Sequence, residues 1–433
     1  MYSLRKPSQS LLLSGDRAVR FDDNSSQPMT KSEEKSERFV LVAMAVTFVI
    51  AVLSMKIAIP LAGTISLQIT LPIQLILFGV LAVKGRLKVS LTKLFLFALF
   101  SIVCLLTAMF QPNPKFSMPS LCFVLVIYAS YVFALPMRDE TFRKLLKIIQ
   151  TFGLFVVAMV AMDWLVQFAG QEMPSIEKFI PQPLLFYNYV YAQPLEWGAR
   201  YMKPNGFFFL ETSYVSQFVA MCLILEVAFF QRFKQLVAYG VALVLSFGGT
   251  GMTLALLCAP VLLFYFRLKL LPLVLIAVPV MAVTAVQVGL VQNVEKRTQE
   301  FGEEGSSGNQ RFNAQFERIG EALSGPTRDA LFGIGAGQMP QRLNLMWTPI
   351  SKVFVEYGLF AYVLFWVFLL YSMFGRGVPF IISWMVLMQY LFLNGSFLVP
   401  INNFYNIFFA ALIVIRPSDR TQLARVFGRD ANR

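Results

Sequence analysis

Long apolar runs separated by polar connections recur along most of this chain, and they constrain its fold more than any other feature. A helix of about 20 apolar residues is long enough to cross a hydrocarbon core roughly 30 Å thick. Charged residues make up only 14% of the chain, against about 25% in an average soluble domain. The sequence therefore predicts an all-α polytopic membrane protein.

The apolar runs predict about 12 transmembrane helices. The predicted spans are residues 39–59, 61–83, 90–110, 117–136, 147–169, 213–230, 235–249, 252–266, 270–290, 349–372, 378–395 and 397–415. Together they form an integral membrane domain over residues 39–415. We expect residues 1–38 to be a disordered arm, because this segment is polar and mixed in charge, and residues 416–433 to be a polar tail.

Positive charge in the short connections predicts the orientation of the spans. Cytoplasmic connections of membrane proteins carry an excess of Lys and Arg. The basic connections here are KGRLK (84–88), MRDETFRKLLK (137–147), QRFKQ (231–235), FRLK (266–269) and GRG (375–377). With an even number of spans they all lie on the same side as both termini. The sequence therefore predicts that the arm and the tail are cytoplasmic.

Two long loops, at about 170–212 and 291–348, are predicted to face outward. Long translocated loops are exempt from the orientation rule, so their cations need another explanation. These cations are Lys178, Arg200, Lys203, Lys296, Arg297, Arg311, Arg318, Arg328 and Arg342. Most of the net charge of +13 reflects topology. No nucleic-acid partner is expected, because the positive charges alternate with membrane spans.

The residue types present exclude several chemistries. The chain has no histidine, so a histidine-based triad, acid–base step or metal site is impossible. The four cysteines lie far apart inside predicted spans, without the spacing of metal or redox motifs. GIGAGQ (333–338) lacks the Lys-Ser/Thr ending of a nucleotide-binding loop and is expected to be a flexible turn. We expect neither a metal nor a cofactor.

The first long loop ends in a segment with clustered charge. Pro204-Asn205-Gly206 is typical of a turn, and it places Lys203 and Glu211 at the two ends of the apolar stretch FFFL. Glu211 then precedes the next span. Its carboxylate has two alternative roles: it caps that helix, or it lies in a partly dry cleft and accepts a proton from a sugar hydroxyl.

The second long loop contains a predicted amphipathic helix that ends at Ser324-Gly325-Pro326. Phe312, Phe316, Ile319 and Leu323 recur at helical spacing, which predicts an apolar stripe on one face. Arg311, Gln315 and Arg318 form a polar stripe beside it. Two interpretations stay open. The arginines contact lipid headgroups from an interfacial helix, or their guanidinium groups bind a phosphate or pyrophosphate.

Four segments resemble, in order, those of the superfamily of O-antigen ligases and Wzy-type polysaccharide polymerases. They are RYMKPNGFFFLETSYVSQF (200–218), LSFGGTGMTLALL (245–257), GNQRFNAQFERIGEALSGPTRDALFGIGAGQ (308–338) and SKVFVEYGLFAYVLF (351–365). They are similar to the superfamily's Gly-Phe-Phe-x-Glu stretch, its Ser/Gly/Thr-rich segment, its large periplasmic loop and its Glu-x-Gly-Leu span. The resemblance covers about residues 200–360.

The resemblance implies a metal-independent glycosyltransferase with a GT-C-like architecture in the bacterial inner membrane. Such enzymes join oligosaccharides carried on undecaprenyl pyrophosphate at the periplasmic face. It implies that Arg311, with Arg200 or Lys203, holds the pyrophosphate leaving group and that Glu211 assists the attacking hydroxyl. Further candidate substrate-binding residues in these segments are Asn205, Tyr214, Arg318, Arg328 and Lys352. The implied partners are the lipid-linked oligosaccharide, the bilayer and a chain-length regulator of polysaccharide export.

One departure from the superfamily pattern bears on the reaction. The ligases carry a histidine before the Glu-x-Gly-Leu span, and WTPISKVFVEYGL (347–359) has none. This favours a polymerase that makes an extracellular polysaccharide. Two alternatives remain: ligase-type transfer of finished chains to another acceptor, and transport of an anionic solute. Against the transporter, the sequence shows no obvious pair of similar halves.

Overall fold

Helices make up most of the protein in the computed structural model. The structure describes residues 30–62, 65–110, 116–186, 189–195, 199–266, 309, 313–339, 348–375, 377–393 and 397–415. Its α-helices are α1 (Lys31–Leu53), α2 (Thr70–Val83), α3 (Leu91–Phe110), α4 (Met118–Ala129), α5 (Asp139–Phe168), α6 (Thr212–Leu225), α7 (Phe233–Leu245), α8 (Gly249–Phe266), α9 (Ala314–Ser324), α10 (Thr327–Phe332), α11 (Pro349–Phe374), α12 (Phe380–Met388) and α13 (Pro400–Asn406). The π-helical segments Glu226–Phe230, Gln389–Leu393 and Ile407–Ala411 extend α6, α12 and α13.

Five of the described helices are long and apolar enough to cross a membrane. They are α1, α3, α5, α6 with its π-helical extension, and α11. Shorter apolar helices include α2, α4, α7, α8 and α12. These lengths and compositions agree with the predicted helical membrane protein. The predicted span 270–290 lies outside the described residues.

Helix α1 begins inside the segment that was expected to be disordered. The Thr30 hydroxyl accepts a hydrogen bond from Glu33 N at 3.2 Å, and the Glu33 carboxylate accepts one from Thr30 N at 3.1 Å. This reciprocal capping box satisfies two otherwise unpaired donors at a helix start. The prediction of disorder was therefore wrong for residues 31–38, while residues 1–29 lie outside the described residues.

A β-hairpin lies where the sequence predicted the end of the first span and the start of the second. Strands β1 (Ala58–Ala62) and β2 (Ile65–Gln68) pair antiparallel, so the spans 39–59 and 61–83 were drawn too long. Pro60 cannot donate a hydrogen bond inside a helix, and β-branched isoleucines favour the extended conformation. Helix α1 accordingly ends at Leu53, and α2 begins only at Thr70.

A three-stranded sheet closes one end of the helical bundle. Strand β4 (Phe133–Met137) pairs antiparallel with β3 (Lys88–Val89) and parallel with β5 (Ile413–Ile415). The predicted spans 117–136 and 397–415 were therefore wrong in their last residues, which form strands. Residues before a proline disfavour the helical conformation, and Pro136 lies in β4. We call this region the sheet end.

The start of α1 also lies at the sheet end. The Glu37 carboxylate pairs with Arg86, just before β3, at 2.5 Å and accepts a hydrogen bond from Thr141 in α5 at 2.8 Å. Lys93 in α3 donates to the carbonyl of Ala411 at 2.6 Å. The loop between α5 and α6 lies beyond the other end of α1, where it contacts Lys56. We call that region the loop end.

Candidate functional site

The loop between α5 and α6 is held by one buried lysine. The Lys56 ammonium donates to Ser175 Oγ at 2.8 Å, Glu177 Oε2 at 2.6 Å and the Phe207 carbonyl at 3.1 Å, and it lies 5.3 Å from the ring centroid of Tyr191. Burial lowers the pKa of Lys56, although Glu177 opposes this effect. Burial also acts to raise the pKa of Glu177, but the hydrogen bonds from Lys56 and Ser175 hold that pKa below its usual value. The two groups form an ion pair that anchors the loop.

The turn before Glu211 is shaped by two polar side chains. Asn205 is fully buried; its amide nitrogen donates to Ser175 Oγ at 3.2 Å, and its oxygen accepts from Phe207 N at 2.9 Å. Gly206 N donates to Asp163 Oδ2 in α5 at 2.9 Å. Gly206 has a φ of 61°, a conformation that suits glycine. The structure thus gives Asn205, a predicted substrate-binding residue, a part in holding the loop.

Lys56→Met is expected to destabilise the protein by about 3–5 kcal/mol, because it leaves Glu177 as a partly buried charge without its cation. The double substitution Lys56→Met with Glu177→Leu should recover much of this loss, since removing both partners leaves no unpaired charge. The measurement is unfolding of the purified protein in mixed detergent micelles.

The matched control for that measurement is Lys144→Met. Lys144 pairs with Glu140 at 2.6 Å, but both side chains are exposed, so this change should cost less than about 1 kcal/mol. Equal stability of the Lys56 and Lys144 variants would mean that the buried pair does not anchor the loop.

Glu211 immediately precedes α6, a candidate membrane-spanning helix. Its Oε2 accepts a hydrogen bond from Gln193 Nε2 at 3.3 Å, and its Oε1 accepts one from the Ser213 hydroxyl. Although Glu211 occupies the position of a helix cap, its side chain accepts no capping hydrogen bond from a backbone N–H of α6. Its carboxylate instead bridges Gln193 in the loop and the Ser213 side chain in the first turn of α6.

The chain that carries Arg200 and Lys203 turns back beside this carboxylate. The carbonyl of Gln193, whose amide contacts Glu211, accepts a hydrogen bond from Lys203 N at 2.8 Å. The Gln167 side chain at the end of α5 accepts from Met202 N at 2.6 Å and donates to Met202 O at 3.1 Å. Arg200 is exposed in the same segment. The backbone of Lys203, a predicted cation, therefore lies next to Gln193, which contacts the predicted carboxylate Glu211.

Two tyrosines lie beside Glu211. Tyr214 N donates to the Glu211 carbonyl at 3.0 Å, and the buried Tyr214 hydroxyl lies 3.2 Å from the Tyr189 hydroxyl. Tyr189 also stacks on Phe186, with 5.5 Å between ring centroids. Burial, the Tyr214 hydroxyl and the negative charge of Glu211 together raise the pKa of Tyr189 well above its usual value. Tyr189 therefore keeps its proton and remains a hydrogen-bond donor.

A glycine-rich segment at the start of α8 packs directly on the first turns of α6. Thr250 Oγ1 donates to the Ser213 carbonyl at 3.2 Å, and Gly251 N donates to Ser216 Oγ at 3.2 Å. A Cβ atom at Gly248 or Gly251 would collide with Ser216. Two of the four segments that carry the sequence resemblance are therefore in contact.

The predicted amphipathic helix of the second loop is α9, and residues from both of its stripes contact the rest of the protein. Gln315, from the polar stripe, is buried and accepts a hydrogen bond from Thr348, the residue that caps α11. Phe316 and Leu323, from the apolar stripe, are 53% and 57% exposed. Ile319 of the same stripe packs against the hydrophobic core, so α9 is held by one residue of its apolar stripe together with the hydrogen bond of Gln315.

The predicted arginines of the second loop are placed apart from Glu211 or not described. Arg311 lies outside the described residues. Arg318 pairs with Glu321 on the same helix at 2.5 Å, and Arg328 donates to the carbonyl of Phe110 at the end of α3. No contact joins either described arginine to the carboxylate, so their predicted role in substrate binding stays a prediction.

Lys352 lies in a buried ion pair beside a break in α11. Its ammonium lies 2.6 Å from Glu356 Oε1, which also accepts a hydrogen bond from Met339 N at 3.0 Å. Gly358 interrupts the helix with a φ of 79°, and Gly335 N donates to the Glu356 carbonyl at 3.1 Å. The segment GIGAGQ is therefore docked on α11, and the expectation of a flexible turn was wrong.

Several residues that contribute to the loop end were not predicted from the sequence. Lys56, Gln193 and Tyr189 were not predicted to belong to a site, although their contacts shape the surroundings of Glu211. One signal was available: Lys56 is the only charged residue between Arg38 and Lys84, and a lone charge in an apolar region usually has a partner or a function.

Comparisons of this chain with known protein families, curated proteins and solved structures returned no match.

Proposed function

We propose that the protein is a membrane glycosyltransferase that polymerises oligosaccharide repeat units, carried on undecaprenyl pyrophosphate, into an extracellular polysaccharide. The setting of Glu211 carries the proposal. A partly buried carboxylate starts a candidate membrane-spanning helix and lies next to the segment that bears Arg200 and Lys203. Charges beside an apolar segment are costly unless they serve a function. A lipid-linked sugar pyrophosphate offers the matching apolar, anionic and hydroxyl groups.

In the proposed reaction, a hydroxyl oxygen of the acceptor sugar attacks the anomeric carbon of the donor. The new carbon–oxygen bond forms while the bond from the anomeric carbon to the pyrophosphate oxygen breaks. Glu211 accepts the hydroxyl proton, and the pyrophosphate leaves with the electron pair of the broken bond. Arg311, with Arg200 or Lys203, stabilises the negative charge that develops there. Arginine stays charged and binds phosphate through two parallel hydrogen bonds, so this scheme uses no metal or cofactor.

We further propose twelve spans in a GT-C-like arrangement, with both termini cytoplasmic and Glu211 at the periplasmic face of a bacterial inner membrane. The positions of the helix ends support this orientation. The basic connections 84–88 and 137–147 lie next to β3 and β4 at the sheet end, and the last described residue, Ile415, ends β5 there. The loop that contains Glu211 lies at the loop end. Basic connections mark the cytoplasmic side.

A reporter fused near Gly305 is expected to be extracytoplasmic, and one fused after Arg420 cytoplasmic, because the basic connections assign the tail to the inner side. The measurement is the activity of paired reporters, such as alkaline phosphatase and green fluorescent protein, that each work on one side only. If both fusions report the same compartment, the number of spans between them is wrong.

Deletion of the gene from its native host tests the proposed function. We expect the polymer to disappear and one lipid-linked repeat unit to accumulate, as measured by mass spectrometry of extracted lipids. Accumulation of finished chains on the lipid would instead support a ligase. Passage of a labelled anionic solute into proteoliposomes, without new glycosidic bonds, would support a transporter.

A further inference from the structure

We infer that Tyr189 and Gln193, together with Tyr214, form a binding site for the acceptor sugar beside Glu211. The inference rests on the proposed function, because it names the residues that would hold the sugar whose hydroxyl attacks the donor. It adds Tyr189 and Gln193 as binding residues and gives the site a chemical class of ligand: a neutral sugar ring.

Hydrogen bonds to Glu211 connect Gln193 with the pair formed by Tyr189 and Tyr214. The Gln193 amide lies 3.3 Å from Glu211 Oε2, and the Tyr189 hydroxyl lies 3.2 Å from that of Tyr214, whose backbone N donates to the Glu211 carbonyl. Tyr189 and Gln193 are each partly exposed as whole residues, while the Tyr189 hydroxyl is itself buried against Tyr214. Tyr214 is buried behind them.

The chemistry of this group of residues fits a sugar. A sugar ring has apolar C–H faces and a rim of hydroxyl groups, and a tyrosine combines an apolar ring with a polar tip. The Gln193 amide can both donate and accept hydrogen bonds, as can a phenol. Neither residue carries charge, since Tyr189 stays protonated. The pair therefore suits neutral hydroxyls, while the pyrophosphate would bind the cations of the loops.

The anchoring of the loop explains how such a site would be held in place. Phe186, on which Tyr189 stacks, donates its backbone N–H to the Lys56 carbonyl at 2.9 Å. Lys203 N holds the backbone of Gln193. These contacts involve the ring of Tyr189 and the backbone of Gln193, and not the hydroxyl or the side-chain amide that would bind the sugar. Residues positioned in this way lose less freedom when a ligand binds.

Saturation-transfer NMR on the purified full-length protein in lipid nanodiscs tests the inference without requiring polymerisation. The probes are free glucose, galactose, mannose, N-acetylglucosamine and cellobiose. We expect transfer to the ring protons of at least one probe. Tyr189→Ala and Gln193→Ala should each weaken binding of that probe about tenfold, and Tyr189→Phe should lose less because the ring remains.

The matched control is Phe179→Ala, which removes an aromatic side chain of the same loop that is 78% exposed and should leave binding unchanged. All variants are first compared with the wild type in thermal stability. Absence of transfer to every probe in the wild type would overturn the inference, and so would equal transfer in Tyr189→Ala.

The two proposals can fail separately. If the wild-type protein binds a probe through Tyr189 but makes no polymer from lipid-linked repeats, the sugar site is supported and the polymerase is contradicted. If Tyr189→Ala and Gln193→Ala polymerise normally and bind the probe as the wild type does, the polymerase is supported and this sugar site is contradicted.

Discussion

Glu211→Gln is expected to lower polymer formation by about 10²–10⁴-fold while the protein still folds and inserts. Glutamine has nearly the same shape as glutamate and can keep the contact with Gln193. It cannot accept the proton of the attacking hydroxyl, however, and a positioned general base contributes a rate factor of about this size. The measurement is polymer yield at matched expression in a strain that lacks the native gene.

The matched control for Glu211→Gln is Glu172→Gln in the same loop. Glu172 is exposed and pairs with Lys178 at 2.6 Å, so its substitution should leave the yield unchanged. Normal polymer from Glu211→Gln would show that this carboxylate transfers no proton, and the proposed mechanism would then lack its base.

Arg311→Ala is expected to lower polymer formation by about 10²–10³-fold, and Arg311→Lys should recover only part of the activity. The reason is geometric: lysine keeps the charge but loses the two parallel hydrogen bonds that a guanidinium makes with phosphate. Loss of one donor to a developing anion has an effect of this size. Because Arg311 lies outside the described residues, the expectation rests on its place in the polar stripe with Gln315.

The alternative, in which Arg311 contacts lipid headgroups, predicts a much smaller effect. An exposed ion pair is worth less than about 1 kcal/mol, so either substitution would then leave most of the polymer. The control is Lys178→Ala, which removes an exposed cation of the first long loop that is already paired with Glu172. Accumulation of a single lipid-linked repeat unit verifies substrate supply. Near-normal polymer from Arg311→Ala would leave Arg200 and Lys203 to hold the leaving group.

The apolar runs predicted the class of fold because helix length and hydropathy are local properties of the chain. They did not predict where several helices end. β4 and β5 are more than 270 residues apart in sequence yet pair through Leu135 and Ile413, and such a pairing cannot be read from either segment alone. The start of α1, by contrast, could have been predicted, since the Thr30–Glu33 capping box is visible in the sequence.

The candidate site was predictable only where its members are neighbours along the chain. Glu211 and Tyr214 share one segment, and the turn at Gly206 could be inferred from residue type. Lys56 lies 119 residues from Ser175, so their contact depends on the fold. Periodicity predicted two stripes on α9 but not that Gln315, from the polar stripe, is buried against Thr348.

Reconstitution of the purified protein in proteoliposomes tests directly whether it polymerises lipid-linked repeat units without a metal. The only added substrate is the lipid-linked repeat unit extracted from a strain that lacks the gene, and EDTA is present throughout. We expect a ladder of polymers spaced by one repeat unit, with release of undecaprenyl pyrophosphate. If only single repeat units remain, or if polymer forms solely after a divalent ion is restored, the metal-free polymerase proposed here is contradicted.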